Sequence, residues 1–196
     1  MSDIAQDRRR LLIATSGAGV VAAAATAVPF VASLTPSGRA RAAGAPVEAD
    51  VSGLKAGEMM TVEWRGKPVW ILRRTPEMLA ALAAHESRLA DPASTRPMQP
   101  EYAANRHRSV NPEYLVVVGI CTHLGCSPSQ KFRHGAEGGM AADWPGGFFC
   151  PCHGSLFDLA GRVFLSQPAP VNLEVPPYTW LSATALLVGE DHSGQA

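Results

Sequence analysis

The sequence predicts an all-β domain with one helical insertion, carried behind a single N-terminal transmembrane helix. Three observations predict it. An uncharged apolar run lies close to the N-terminus, and short alternating or apolar segments separated by turn residues follow position 50. Two loops bearing cysteine and histidine each follow the end of such a segment. The 196 residues suffice for one anchor and one domain with its own core. The 18 glycines and 16 prolines suit a loop-rich β protein better than a helical bundle. Formal net charge is zero, with no basic footprint for nucleic acid and no acidic tail.

Residues 1–34 form the first region. Arg8-Arg9-Arg10 precede an apolar run from Leu11 to Leu34. Those 24 residues reach roughly 36 Å as a helix, enough to cross a hydrocarbon core of about 30 Å with some tilt. Pro29 sits inside the run, where a kink is tolerated. Arginines before an apolar run favour a cytoplasmic N-terminus. Arg8-Arg9 followed by Leu11-Leu12 also has the form of a twin-arginine export signal, which carries folded proteins. Ala40-Arg41-Ala42 is formally a cleavage pattern, but the apolar run exceeds a typical signal h-region, so an uncleaved anchor is expected.

Residues 35–50 are small, polar and interrupted by Pro36, Gly38, Gly44 and Pro46, and read as a linker. The exported domain spans 51–196. Met59–Trp64 and Pro68–Leu72 flank Arg65-Gly66-Lys67 as a β-hairpin. Thr75, Pro76 and Glu77 give an N-cap, a first helical position and an acidic first turn, predicting a helix to about Ala90, before Asp91-Pro92. Leu115–Ile120 is a buried strand ending at Cys121, and Phe148-Phe149 leads likewise to Cys150. Leu156–Phe164 forms a hairpin around Ala160-Gly161-Arg162, and 171–188 supplies closing strands.

Cys121-Thr122-His123-Leu124-Gly125-Cys126 and Cys150-Pro151-Cys152-His153-Gly154-Ser155 carry the chemistry. Each block supplies one cysteine and one histidine, with one cysteine more than a four-ligand site needs. Two thiolates and two imidazoles suit tetrahedral zinc or a [2Fe–2S] cluster with histidines on one iron. The surplus pair is available for a disulfide between the blocks, which requires an oxidising compartment such as a bacterial periplasm. Covalent haem is excluded, because only one residue separates Cys150 from Cys152.

The two blocks resemble the signature loops of the Rieske iron–sulfur proteins, in particular the iron–sulfur subunits of ubiquinol–cytochrome c reductases. The resemblance implies a Rieske domain of antiparallel sheets with a small cluster-binding part at about 119–178, holding one [2Fe–2S] cluster. Carried over by position, it makes Cys121 and Cys150 ligands of the inner iron and His123 and His153 ligands of the outer one, with Cys126 and Cys152 as the disulfide. Ser155 would donate a hydrogen bond to a cluster sulfide. Leu124 would cover the cluster, and Pro168-Ala169-Pro170 would shield its third side. His153 would receive the quinol hydrogen bond, with His123 as its redox-linked partner. The implied activity is quinol–cytochrome c oxidoreduction as a catalytic subunit of a complex. An electron and a proton leave ubiquinol at cytochrome b, and the electron passes to the membrane c-type cytochrome. The implied setting is a bacterial inner membrane, single-pass, with the cluster domain in the periplasm, the linker acting as a hinge and the whole complex dimeric. The small subunit of an exported oxidoreductase such as arsenite oxidase is the alternative, and a structural zinc module a remote one.

Two departures stand out. Phe157 occupies a position where many relatives carry a tyrosine whose hydroxyl bonds a ligand-cysteine sulfur. Gln167 precedes the proline loop where glycine is common. Residues 127–149, with five glycines, read as a flexible surface insertion. His85, His107, His134 and His192 are read as isolated surface histidines.

Overall fold

A computed structural model of the chain describes residues 2–38, 44–136 and 139–191. It divides into two compact units, Met1–Ala42 and Ala43–Ala196.

The first unit is dominated by α1 (Ser2–Ser33), an uninterrupted helix despite Pro29. Asp3 complements the positive end of the helix dipole, and Arg10 pairs loosely with Asp7 at 3.9 Å. The hydroxyls of Thr15 and Thr26 donate back to the carbonyls of Leu11 and Ala22, at 2.9 and 3.1 Å, so that neither faces hydrocarbon unpaired. The helix is long and apolar enough to cross a membrane by length and composition. The pattern Ala40-Arg41-Ala42 lies outside the described residues.

Among the described residues, the second unit contains three three-stranded antiparallel sheets. One joins β1 (Val47–Asp50), β9 (Ala185–Val188) and β8 (Tyr178–Trp180), in that order. β1 thus begins inside the stretch whose composition reads as linker, because Val47 to Asp50 find backbone partners in Val188 to Ala185. The second sheet joins β2 (Met59–Trp64), β3 (Lys67–Arg73) and β4 (Tyr114–Val118). Trp64 opposes Lys67 across a two-residue turn, and Arg65 and Gly66 take φ of 52° and 70°. Those left-handed values match the twist of the hairpin. Every residue of β4 is buried, as its unbroken apolar run requires.

The third sheet joins β5 (Ser129–Lys131), β6 (Gly147–Phe149) and β7 (Leu156–Asp158). Gly147 opposes Asp158 so closely that a Cβ would lie 2.0 Å from the Phe157 carbonyl oxygen. Only glycine allows this pairing. Trp70 of β3 supports both ligand-bearing arms. Its ring stacks on Phe148 with centroids 5.1 Å apart, and a Cβ at Gly119 would sit 2.2 Å from it.

Helix α2 (Pro76–Ala84) starts as the sequence predicts, with Thr75 Oγ1 accepting from Met78 N–H. It stops at Ala84 rather than near Ala90, and a 3₁₀ turn occupies Glu86–Arg88. Tertiary pairing ends it: Leu89 bridges Phe164, and Ala90 N–H donates to the Val163 carbonyl. His85, at the helix end, is not a surface residue. It is buried, stacked on Phe164 and 3.4 Å from Asp158. His192 lies outside the described residues.

The insertion at 127–149 is held at both ends and by an internal anchor, rather than being a loose loop. Trp144 is buried with Leu89 and Phe164, and its Nε1–H donates to the Lys131 carbonyl. Arg88 pairs with Asp143 at 3.0 Å. Glu137 and Gly138, within this stretch, lie outside the described residues.

Three arginines, Arg74, Arg108 and Arg162, are buried where the hairpin at 158–162 meets the rest of the unit. Arg162 grips Asp158 through Nε and Nη2, while Arg74 and Arg108 donate to the carbonyls of Leu159 and Ala160. Burial alone would push the Asp158 carboxyl up, but the His85 imidazole 3.4 Å away and the charge and hydrogen bonds of Arg162 outweigh it and hold it below its ordinary range. A depressed carboxyl contributes stability that is complete above the unfolded value and is lost as pH falls through the folded one. The melting temperature should therefore be flat near neutrality and drop below about pH 4. Thermal unfolding across pH 7 to 2 checks this, and a flat profile would refute the role given to Asp158.

Candidate metal centre

The two ligand loops share one backbone design. In the first, Cys121 N–H donates to the Cys126 carbonyl at 2.7 Å and Gly125 N–H to the Cys121 carbonyl at 3.0 Å. In the second, Cys150 N–H donates to the Ser155 carbonyl at 2.8 Å and Gly154 N–H to the Cys150 carbonyl at 2.9 Å. The fifth residue of each is a glycine with φ of +84° or +81°. A left-handed residue there lets six residues close on themselves.

Cys126 and Cys152 form a disulfide, with Cα atoms 6.6 Å apart, tying the end of one loop to the middle of the other. The remaining thiols, Cys121 and Cys150, are free and each 2% exposed. Cys150 Sγ lies within 4.8 Å of both disulfide sulfurs. Burial pushes the Cys121 thiol up and the adjacent Cys150 adds to this, against hydrogen bonds from the His123 backbone and the Ser155 hydroxyl. Two facing buried thiolates therefore need a cation between them.

The imidazoles lie outward of the thiols. Rings of His123 and His153 stand 4.7 Å apart and nearly perpendicular. His123 Nδ1 is buried without a hydrogen-bond partner, as befits a nitrogen reserved for a metal, whereas the His153 side is exposed. Leu124 is 71% exposed at the rim. Free thiols inside and imidazoles outside form a donor set that fits an asymmetric [2Fe–2S] cluster.

The surrounding residues are also in place. Ser155 is fully buried, and its Oγ accepts from Ala169 N–H of the proline loop at 3.0 Å. Thr122 Oγ1 donates to the Val171 carbonyl at 2.7 Å. Gln167 has a definite function: its Oε1 accepts from Leu156 N–H at 3.0 Å, with Ser166 before it in a left-handed conformation. Residues that sequence reasoning missed include Trp70, Asp91, Arg96, Asp158 and Asn172. Each acts through contacts between segments far apart in the chain, and no local motif marks them.

Residues 45–178 match the Rieske [2Fe-2S] domain family. The chain belongs to the Rieske iron–sulfur family. Its cofactor is one [2Fe–2S] cluster, and its antiparallel sheets behind an N-terminal apolar helix are the expected architecture. Residues 2–37 match the family described as "Ubiquitinol-cytochrome C reductase Fe-S subunit TAT signal". The ubiquinol–cytochrome c reductase iron–sulfur subunit of Allochromatium vinosum is 57% identical over 185 residues, which are 94% of this chain and 89% of that protein. The subunit of the same name from Blastochloris viridis is 42% identical over 191 residues, 96% of each chain. A solved chain of a hyperthermophilic respiratory complex III is 26% identical, covers 88% of this chain and 98% of its own, and has a TM-score of 0.46.

Phe157 is fully buried in β7 of this Rieske domain, opposite Phe148. Its phenyl ring carries no donor. Phe157→Tyr is expected to raise the midpoint potential by adding a hydrogen bond to sulfur. A redox titration of the purified variant checks this, and an unchanged or lower potential would refute it.

Proposed function

We propose that this chain is the electron-transferring Rieske subunit of a membrane ubiquinol–cytochrome c reductase, active only with its partner subunits. The observation that carries the proposal is the gradient across the site, from buried thiols to an exposed His153 and Leu124. The names of the relatives at 57% and 42% identity support this reading over another exported oxidoreductase.

Cys121 and Cys150 would hold the inner iron, and His123 and His153 the outer one. When bound, the cluster supplies a one-electron acceptor whose potential, with neutral imidazoles in place of two thiolates, falls at about −150 to +300 mV. His153, at the surface, accepts the hydrogen bond of a quinol hydroxyl and holds its proton on the ring nitrogen that faces outward. His123 is its redox-linked partner. Leu124 packs against the quinol pocket and keeps water from the site. The Cys126–Cys152 bridge fixes the separation of the loops, Ser155 donates a hydrogen bond to sulfur, and Pro168–Pro170 shields the third side.

Cytochrome b forms the rest of the quinol site, and the membrane c-type cytochrome takes the electron onward within a dimeric complex. α1 serves as the retained single-pass anchor in a bacterial inner membrane. The disulfide and the twin-arginine match support a periplasmic cluster domain. Residues 35–50, of which 39–43 lie outside the described residues, are assigned as the hinge of the subunit.

Low-temperature EPR on reduced membranes, titrated against potential, tests the proposal. A rhombic signal with average g below the free-electron value, developed by ascorbate, is expected. A signal developed only by dithionite would replace ubiquinol with a lower-potential donor, and zinc in place of iron would end the electron-transfer reading.

A further inference from the structure

The segment that follows Pro168 is bonded on both sides, residue by residue. Ala169 N–H donates to Ser155 Oγ, and the Pro170 carbonyl accepts from Arg96 Nη1 at 2.5 Å. The Val171 carbonyl accepts from Thr122 Oγ1, and Asn172 Nδ2 donates to the Asp91 carbonyl at 3.1 Å. Residues 169 and 171 thus bind the two ligand loops, while 170 and 172 bind the turn at 91–96. Bonded alternately in this way, a short stretch ties two bodies together.

The turn is built to hold its side of the strap. The Asp91 carboxylate accepts from the N–H groups of Thr95 and Arg96 and from the Thr95 hydroxyl. This directs the Arg96 side chain toward Pro170. Asn172 is 1% exposed and satisfied at both ends of its amide, since its Oδ1 also accepts from Val163 N–H at 2.9 Å. The amide supplies a donor for one backbone group and an acceptor for another.

We infer that Asn172 and Arg96 are positioning residues for the cluster: with the Asp91 turn, they hold the 169–172 strap against the ligand loops and so set the hydrogen bond that Ser155 makes to sulfur. The physical link is the Ser155 hydroxyl. It accepts from Ala169 N–H, and a hydroxyl that accepts is a stronger donor. Loosening the strap weakens that donation and lowers the potential. The inference rests on the proposed cluster ligation.

The test uses the full chain in assembled membranes, with Asn172→Asp, Arg96→Ala and Arg96→Lys. Asn172→Asp keeps the shape and the acceptor but loses the donor. Expected are a lower midpoint potential and faster amide exchange in peptides spanning 163–173 for Asn172→Asp and Arg96→Ala. Arg96→Lys, which keeps a charged donor, should restore most of both. Wild-type potential and exchange in Arg96→Ala and Asn172→Asp would overturn the inference. If Asn172→Asp fails to assemble, the exposed Arg96→Ala decides alone. Absence of the signal from the unaltered chain would instead refute the cluster ligation, and the exchange rates would still report whether the strap is held.

Discussion

His153→Ala should fold, insert and assemble, yet show no native Rieske EPR signal and no quinol oxidation. The side chain is exposed, so its removal leaves no cavity and disturbs no packing. What disappears is one of two imidazoles that stand 4.7 Å apart. With His123 alone, the outer iron would lack one of its two protein ligands. Cys121→Ser should abolish the signal as well, but a buried cysteine also contributes to packing, so the exposed histidine gives the cleaner reading. EPR of membranes containing normal amounts of the variant decides the matter. A wild-type signal would overturn the ligand assignment.

Cys126→Ser should retain all four proposed ligands and still lose much of the site's durability. The disulfide closes a sequence separation of 26 residues, for which chain-entropy arguments give about 3.5 kcal/mol of stabilisation. Without it, the loops are held together through the β5–β6 pairing and the contacts of Ser155 and Thr122 with the strap. The expected result is a cluster signal present after gentle preparation but decaying on warming, with a melting temperature lower by several degrees. Thermal unfolding followed in parallel by absorbance and EPR checks this. Equal melting temperatures for the variant and the parent would show that the bridge is dispensable to the fold.

The ligand loops were legible because their chemistry is local. Cys121, His123 and Gly125 sit within six residues, as do Cys150, His153 and Gly154, and the closing hydrogen bonds involve only those residues. The hairpin at Arg65-Gly66 and the start of α2 at Thr75 were legible for the same reason. The end of α2 was not. Nothing in Glu86 to Ala90 forbids a helix, but Val163 and Phe164 compete for the backbone of Leu89 and Ala90. His85 looked like an ordinary surface histidine because its partners, Asp158 and Phe164, lie more than seventy positions away. The insertion looked loose because glycines dominate its composition, and composition does not show that Trp144 finds Leu89 and Phe164.

The strap also bears on what could be transplanted. A fragment cut to the cluster-binding stretch at about 119–178 would include both ligand loops, the disulfide and the proline loop. It would lack Asp91 and Arg96, and with them the grip on Pro170 and Asn172. It would also lose Trp70, the floor beneath Gly119 and Phe148. A graft of this redox site onto another scaffold must therefore begin no later than β3, so the smallest self-supporting unit is most of the exported domain.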